Sequence, residues 1–277
     1  MNIKDLFSVF SKQRSMPKIA LVLGGGAARG FAHVGVIRVL EQEKVPIDMI
    51  VGTSVGSLIG AIYAYDVNSF ELEWSAFTLE RESIFDYDLR TVMTGMGAAK
   101  GEKLEEFVRE KVPIRNIEDL RIPFAAVATD LQRGTRVVLD KGPVDRAIRA
   151  SCSLPGVFLP VEHEGTLLVD GGVVDNLPVT VARERGADMV IAVDISVDIE
   201  NREISNLIEV IVQSVNIMAA ENVRQRKQEA DVLISPAVGG VGMMDFSRKK
   251  ACMQAGIEAA LRTMPELRNK IEAWRSV

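Results

Sequence analysis

Short apolar runs bounded by turn residues alternate along the chain with longer segments of helical spacing. Residues 18–23, 48–53, 123–129, 166–169, 189–193 and 232–235 read as strands, because each run is apolar throughout rather than at every second position. Residues 31–42, 58–65, 68–79, 102–111, 179–185, 204–229 and 248–262 carry helical periodicity. Strands that are apolar on both sides and joined through helices require a mostly parallel sheet sandwiched between helices, an α/β architecture. No internal repeat, low-complexity tract or Pro/Ser-rich linker divides the 277 residues. Two stretches bearing Gly and Met, 91–101 and 236–246, read as long loops that edge a cleft.

The charge balance excludes one class of partner. With 33 Lys and Arg against 38 Asp and Glu, the net charge is −5, so the positive field that concentrates a protein on nucleic acid is missing. Two cysteines, Cys152 and Cys252, make no disulfide framework, and both are expected as free thiols in a reducing compartment. The uncharged stretch 49–65 is interrupted by Gly52, Ser54, Gly56, Ser57 and Gly60, so it reads as strand, sharp turn and buried helix rather than a membrane span. The first residues given show no apolar core of a secretory signal, so the chain is expected in the cytoplasm. Within segment 1–16, Ile3, Leu6, Phe7 and Phe10 fall at helical spacing. That pattern suits a helix lying peripherally on the inner face of a membrane, or one docked on its own domain.

The first strand runs into Gly24-Gly-Gly-Ala-Ala-Arg-Gly30, and a helix begins at Phe31. Strand, glycine loop and helix N-terminus together make an anion site, since free N–H groups point outward at the positive end of the helix dipole. A phosphate loop needs Lys and then Ser or Thr after its last glycine, whereas Gly30 is followed by Phe31 and Ala32. The dinucleotide fingerprint fails at Arg29 when counted from Gly24, and at Ala27 when counted from Gly25. The remaining use of this geometry is an oxyanion hole, which requires a nucleophile nearby.

Gly52-Thr-Ser-Val-Gly56 supplies one at the junction of the second strand and the next helix. Glycines two before and two after Ser54 allow the sharp turn of a nucleophile elbow; the competing reading makes Ser54 an ordinary helix N-cap. Loop and elbow follow consecutive parallel strands, so both lie at the carboxyl edge where such sheets place their sites. A serine needs a base, and the two histidines are poorly placed for that role: His33 sits in the first helix, and His163 sits at a hairpin turn near Gly165. Thr166-Leu-Leu-Val-Asp-Gly-Gly172 instead carries Asp170 out of an apolar strand into Gly171 and Gly172. Asp170 is therefore the candidate base, with a turn-forming aspartate as the alternative. A carboxylate with an ordinary pKa near 3.9 is a weak base at neutral pH, so this assignment demands apolar surroundings that raise it.

These three blocks, in this order, resemble the patatin-like phospholipase family, especially its small bacterial members. The resemblance covers residues 18–235 and extends to Ala128-Thr-Asp-Leu131, Ala150-Ser-Cys-Ser-Leu-Pro155 and Asp175-Asn-Leu-Pro178. It implies a three-layer hydrolase fold with a catalytic domain over residues 17–236; a C-terminal loop and helices (237–277) are expected to pack on the same domain. It also implies a Ser/Asp dyad in which Ser54 is the nucleophile and Asp170 the base. By the same resemblance the backbone of Gly25, Gly26 and Ala27, with Arg29 nearby, forms the oxyanion hole. One departure is visible: two residues, Ala27 and Ala28, separate Gly26 from Arg29 where the family loop commonly has one. The implied chemistry is hydrolysis of fatty-acyl esters of lysophospholipids, phospholipids or related lipids, without metal or cofactor. No cluster of Cys, His and acidic residues suggests a metal site, and Asp130 and Asp175 read as structural carboxylates. Two other readings share these motifs: a weakly active interaction protein on the same fold, and an acyltransferase or thioesterase using the same acyl-enzyme.

Overall fold

The computed structural model describes residues 16–87, 89–93, 96–196 and 207–276. The amphipathic segment with Ile3, Leu6, Phe7 and Phe10, and the start of the helix expected from 204, lie outside them. Strand β1 (Ile19–Leu23) passes through a 3-10 turn (Ala27–Gly30) into α1 (Phe31–Gln42). Strand β2 (Met49–Thr53) feeds α2 (Val55–Asp66) and then α3 (Ser69–Thr78). Helices α4 (Leu89–Met93) and α5 (Glu102–Lys111) precede the hairpin of β3 (Phe124–Asp130) and β4 (Thr135–Leu139). After α6 (Val144–Ser151) come the hairpin of β5 (Val161–His163) and β6 (Thr166–Asp170), then α7 (Val179–Glu184) and β7 (Met189–Val193). Helix α8 (Leu207–Glu229), β8 (Val232–Ile234) and α9 (Lys249–Arg275) complete the described chain.

The strands form one sheet in which hydrogen-bonded neighbours run β5-β6-β3-β2-β1-β7-β8, with β4 also paired to β3. The five strands from β3 to β8 are parallel, and the β5-β6 hairpin and β4 add antiparallel pairs. Strand pleating sorts the apolar runs onto two faces. Ile19, Leu21 and Leu23 join the larger core with Phe31, Ile37 and Leu40 of α1, whereas Ala20 and Val22 join Leu177, Val179 and Val181 on the other side. The central strands are thus buried on both faces, which is why their sequences do not alternate.

Helix α9 packs on α1 almost backbone to backbone. A Cβ at Gly35 would lie 2.0 Å from the carbonyl oxygen of Met253, and one at Gly256 would lie 2.0 Å from that of Ala32. The helix expected to end at Arg262 continues to Arg275 through Pro265. Proline removes only the bond to Leu261, and that residue is half exposed, so water can take over. Among the described residues, no helix is long and apolar enough to cross a membrane.

Candidate active site

The registers on β3 bring two strand ends together. Strand β4 runs along one edge of β3 from Ala126 to Asp130, so β2 and β6 share the other edge. Coming from opposite directions, β2 ends with Thr53 opposite Val127 and β6 ends with Asp170 opposite Ala128. The residue after Thr53 is Ser54, so serine and aspartate meet where the two strands abut. Gly171 permits the junction, since a Cβ there would lie 2.2 Å from the carbonyl oxygen of Val127.

Ser54 adopts φ 54° and ψ −128°, a conformation costly for a residue with a side chain. The flanking glycines allow it: a Cβ at Gly52 would lie 2.5 Å from the carbonyl oxygen of Gly56, and one at Gly56 would lie 2.1 Å from that of Leu23. The Ser54 N–H donates to Ser151 Oγ at 2.9 Å, and Ser151 in turn donates to the Val127 carbonyl at 2.6 Å. Ser54 thus precedes the first turn of α2, with its hydroxyl free to face Asp170.

The Ser54 hydroxyl donates to Asp170 Oδ2 at 2.6 Å, and the Gly172 N–H donates to Asp170 Oδ1 at 2.8 Å. Asp170 is 3% exposed, and burial pushes its carboxyl up to about 6 against the opposing pull of those two hydrogen bonds. The raised value demanded of a base is therefore present.

The glycine loop lies beside this pair. Gly25 sits so close that a Cβ there would come within 3.2 Å of Ser54 Cβ. The three amides named from the sequence are not equivalent. That of Gly25 is already taken, donating to the Asn176 carbonyl at 3.1 Å, which leaves those of Gly26 and Ala27 without an acceptor among the described residues. Arg29 is buried, and its backbone N–H and Nε donate to the Gly26 carbonyl at 3.2 and 3.3 Å. Because a peptide plane points its C=O and N–H in opposite directions, this contact fixes the Ala27 N–H. Ala27 itself has φ 50°, a second strained residue at the site.

His33 is fully buried with Nε2 2.8 Å from the Gly24 carbonyl, and burial lowers its pKa to about 4. It is therefore neutral and donates to the loop. His163 pairs with Thr166 at the opposite end of β6 from Asp170, a separation of roughly 13 Å along a strand. Asp130 pairs with Arg133 at 2.9 Å and Asp175 with Arg136 at 3.0 Å, so both carboxylates serve the framework. Among the described residues, no group of three His, Cys, Asp or Glu is placed to hold a metal.

Ser54 opens onto a cavity of about 80 Å³ whose walls are almost wholly apolar. Phe85 stacks on Phe158 at 5.1 Å and meets Phe246 edge-on at 6.4 Å; Phe246 meets Phe31 edge-on at 6.0 Å. Cys152 is part of the wall, and burial pushes its thiol up to about 12, so it is a neutral neighbour of the serine. Of the two loops read as cleft edges, 236–246 supplies Met244 and Phe246. Of the other, 91–93 belong to α4, and Ala98 and Ala99 brace the wall from behind, donating to the Val157 carbonyl at 3.0 and 2.8 Å.

A family model described as patatin-like phospholipase matches residues 21–183. An uncharacterised NTE family protein of Mycobacterium tuberculosis is 40% identical over 182 residues, 66% of this chain and 50% of its own length. Lysophospholipase NTE1 of Mycosarcoma maydis is 41% identical over 179 residues, 64% of this chain and 10% of its own. Human patatin-like phospholipase domain-containing protein 6 is 37% identical over 197 residues, 68% of this chain and 14% of its own. The chain therefore spans half or less of the length of these relatives. Among solved structures, VipD of Legionella pneumophila superposes with a TM-score of 0.53 at 13% identity, covering 95% of this chain and 73% of that one. ExoU, in its complex with SpcU from Pseudomonas aeruginosa, gives 0.52 at 17% identity, covering 91% and 52%. At such identities the likeness concerns the fold. The sequence match covers more than half of the 277 residues and holds the glycine loop, Ser54 and Asp170, and on that ground the chain belongs to the patatin-like phospholipase family.

Proposed function

We propose that this chain is a serine hydrolase of lipid carboxylic esters, with Ser54 as nucleophile and Asp170 as general base. The observation that carries the reading is the 2.6 Å hydrogen bond between a strained serine and a buried carboxylate raised to about 6, at the mouth of an apolar cavity. Asp170 takes the proton as Ser54 Oγ attacks the acyl carbon, and the carbonyl π pair moves onto oxygen. The free N–H groups of Gly26 and Ala27, with the dipole of α2, stabilise that oxyanion. Collapse of the intermediate expels the alcohol, which receives the proton from Asp170. Water then repeats the sequence: Asp170 takes its proton, hydroxide adds to the acyl-enzyme, and Ser54 leaves with the proton restored.

The aromatic and aliphatic wall suits an alkyl chain, and the name of the fungal relative points to lysophospholipids as the first substrates to try. The same reading has the protein working in the cytoplasm and taking substrate from a membrane surface. Two free thiols and the exposed side chains of Tyr87 and Met244 beside the cavity support it.

Labelling by a fluorophosphonate tests the chemistry without a guess at substrate. Wild type should label, while folded Ser54→Ala should not and Asp170→Asn should label at least 100-fold more slowly. A folded but inert wild type would abandon the hydrolase in favour of an interaction protein.

A further inference from the structure

The glycine loop owes its shape to three side chains outside it or at its end. His33 donates to the Gly24 carbonyl, Arg29 to that of Gly26, and between them Asn176 Nδ2 donates to that of Gly25 at 3.3 Å. Asn176 also accepts the Gly25 N–H on its own carbonyl at 3.1 Å, so it grips Gly25 from both sides. Its side chain fills the space that two glycines leave open. A Cβ at Gly25 would lie 2.4 Å from Asn176 Oδ1, and one at Gly172 would lie 2.8 Å from the same atom. Gly172 is the residue whose N–H holds Asp170 Oδ1. Asn176 is therefore wedged between the loop beside the nucleophile and the turn that carries the base.

We infer that Asn176 is a positioning residue for the reaction: it holds the Gly25 carbonyl and thereby sets the direction of the Gly26 N–H, one of the two free amides. The inference rests on the hydrolase reading. Because the peptide is planar, the Gly26 N–H points opposite to the Gly25 C=O. Without a donor on that carbonyl, a glycine-glycine peptide is free to rotate, and the amide no longer waits in place for the charge that develops on the substrate oxygen. The role requires the amide nitrogen, not merely the volume. An aspartate fills the same space but sets a carboxylate oxygen against the Gly25 carbonyl.

The test compares wild type, Asn176→Ala and Asn176→Asp by thermal melting, by the rate of fluorophosphonate labelling, and by kcat and KM on lysophosphatidylcholine. We expect folded variants with KM within about twofold of wild type. Their kcat and labelling rate should fall by roughly 10- to 100-fold, with Asn176→Asp at least as slow as Asn176→Ala. The acid limb of the pH profile should stay near 6 in Asn176→Ala, since the contacts of Asp170 are untouched. Full labelling rates in both variants overturn the inference. So does an Asn176→Asp protein as fast as wild type, a loss expressed in KM alone, or failure of both variants to fold. A wild type that does not label removes the hydrolase reading itself, a different result from any of these.

Discussion

Ser54 holds a backbone conformation that glycine adopts freely and that costs other residues about 1 to 3 kcal/mol. Ser54→Gly should therefore be more stable than Ser54→Ala by about 1 kcal/mol, although both lose the hydroxyl; denaturant titration of the pair decides, and equal midpoints would remove the strain argument. Asp170 gives a second prediction at this scale. Its pKa rises from 3.8 to about 6 on folding, because burial disfavours the charged form. The folded protein thus binds the proton more tightly than the unfolded one, so the group's contribution is fully present below about pH 4 and is lost as pH rises through 6. Relative to wild type, Asp170→Asn should gain stability between pH 4 and 6 and then level off, by at most about 3 kcal/mol. The same titration should put the acid limb of kcat/KM near 6, and a limb near 4 would show an unperturbed base. Ser54 and Asp170 were legible because each stands in a short local pattern at a strand end. The engagement of the Gly25 amide was not, because its acceptor, Asn176, is 151 residues away in sequence.

At the scale of elements, the reaction geometry comes from two strands that abut on one edge of β3. The central strands could be read from their apolar runs, whereas the meeting of β2 and β6 is a matter of register, which no local pattern encodes. Helix α6 escaped the sequence reading because its eight residues include three charged ones, and Arg149 among them is buried. That arginine donates to the carbonyls of Lys100 and Leu159 and lies over Phe158 at 5.0 Å, so it ties the wall of the cavity to the helix. Contact between α1 and α9 is less forgiving. At Gly256 even a methyl group meets the Ala32 carbonyl at 2.0 Å, so Gly256→Val must push the helices apart. We expect a cost of about 1 to 3 kcal/mol, or several degrees in Tm, with fluorophosphonate labelling at low temperature preserved. An unchanged Tm would mean that the two helices are not held together at this point.

On the scale of the molecule, the matched family region ends at residue 183, yet the site does not. Strands β7 and β8 extend the sheet on the side of β1, and the Val193 carbonyl receives the Gly24 N–H at 3.1 Å. Farther along, the Met243 carbonyl receives the Ala28 N–H at 2.9 Å, and Met244 and Phe246 close the apolar cavity. The helical pattern of 248–262 is legible in the sequence, but the wall that 237–277 builds depends on side chains that carry no motif. The segment is therefore proposed as part of the catalytic unit rather than an appendage. A chain ending at residue 236 would lose α9 from the face of α1 that carries Ala32 and Gly35, and would expose Val36 and Val39 on that same face, 0% and 2% exposed in the full protein. Burying side chains of this size contributes about 1.5 to 3 kcal/mol each, so the pair alone accounts for a sum that reaches the lower end of a typical domain's stability. The truncated protein should accumulate as insoluble material or unfold well below the full chain's Tm, and should not label with fluorophosphonate. The single substitution Phe246→Ala separates the wall from the scaffold: it should keep the fold and the labelling by a small probe, while kcat/KM on a long-chain lysophospholipid falls by about tenfold or more. Soluble, fully active protein from the truncated chain would show that the 21–183 match and the strands after it suffice.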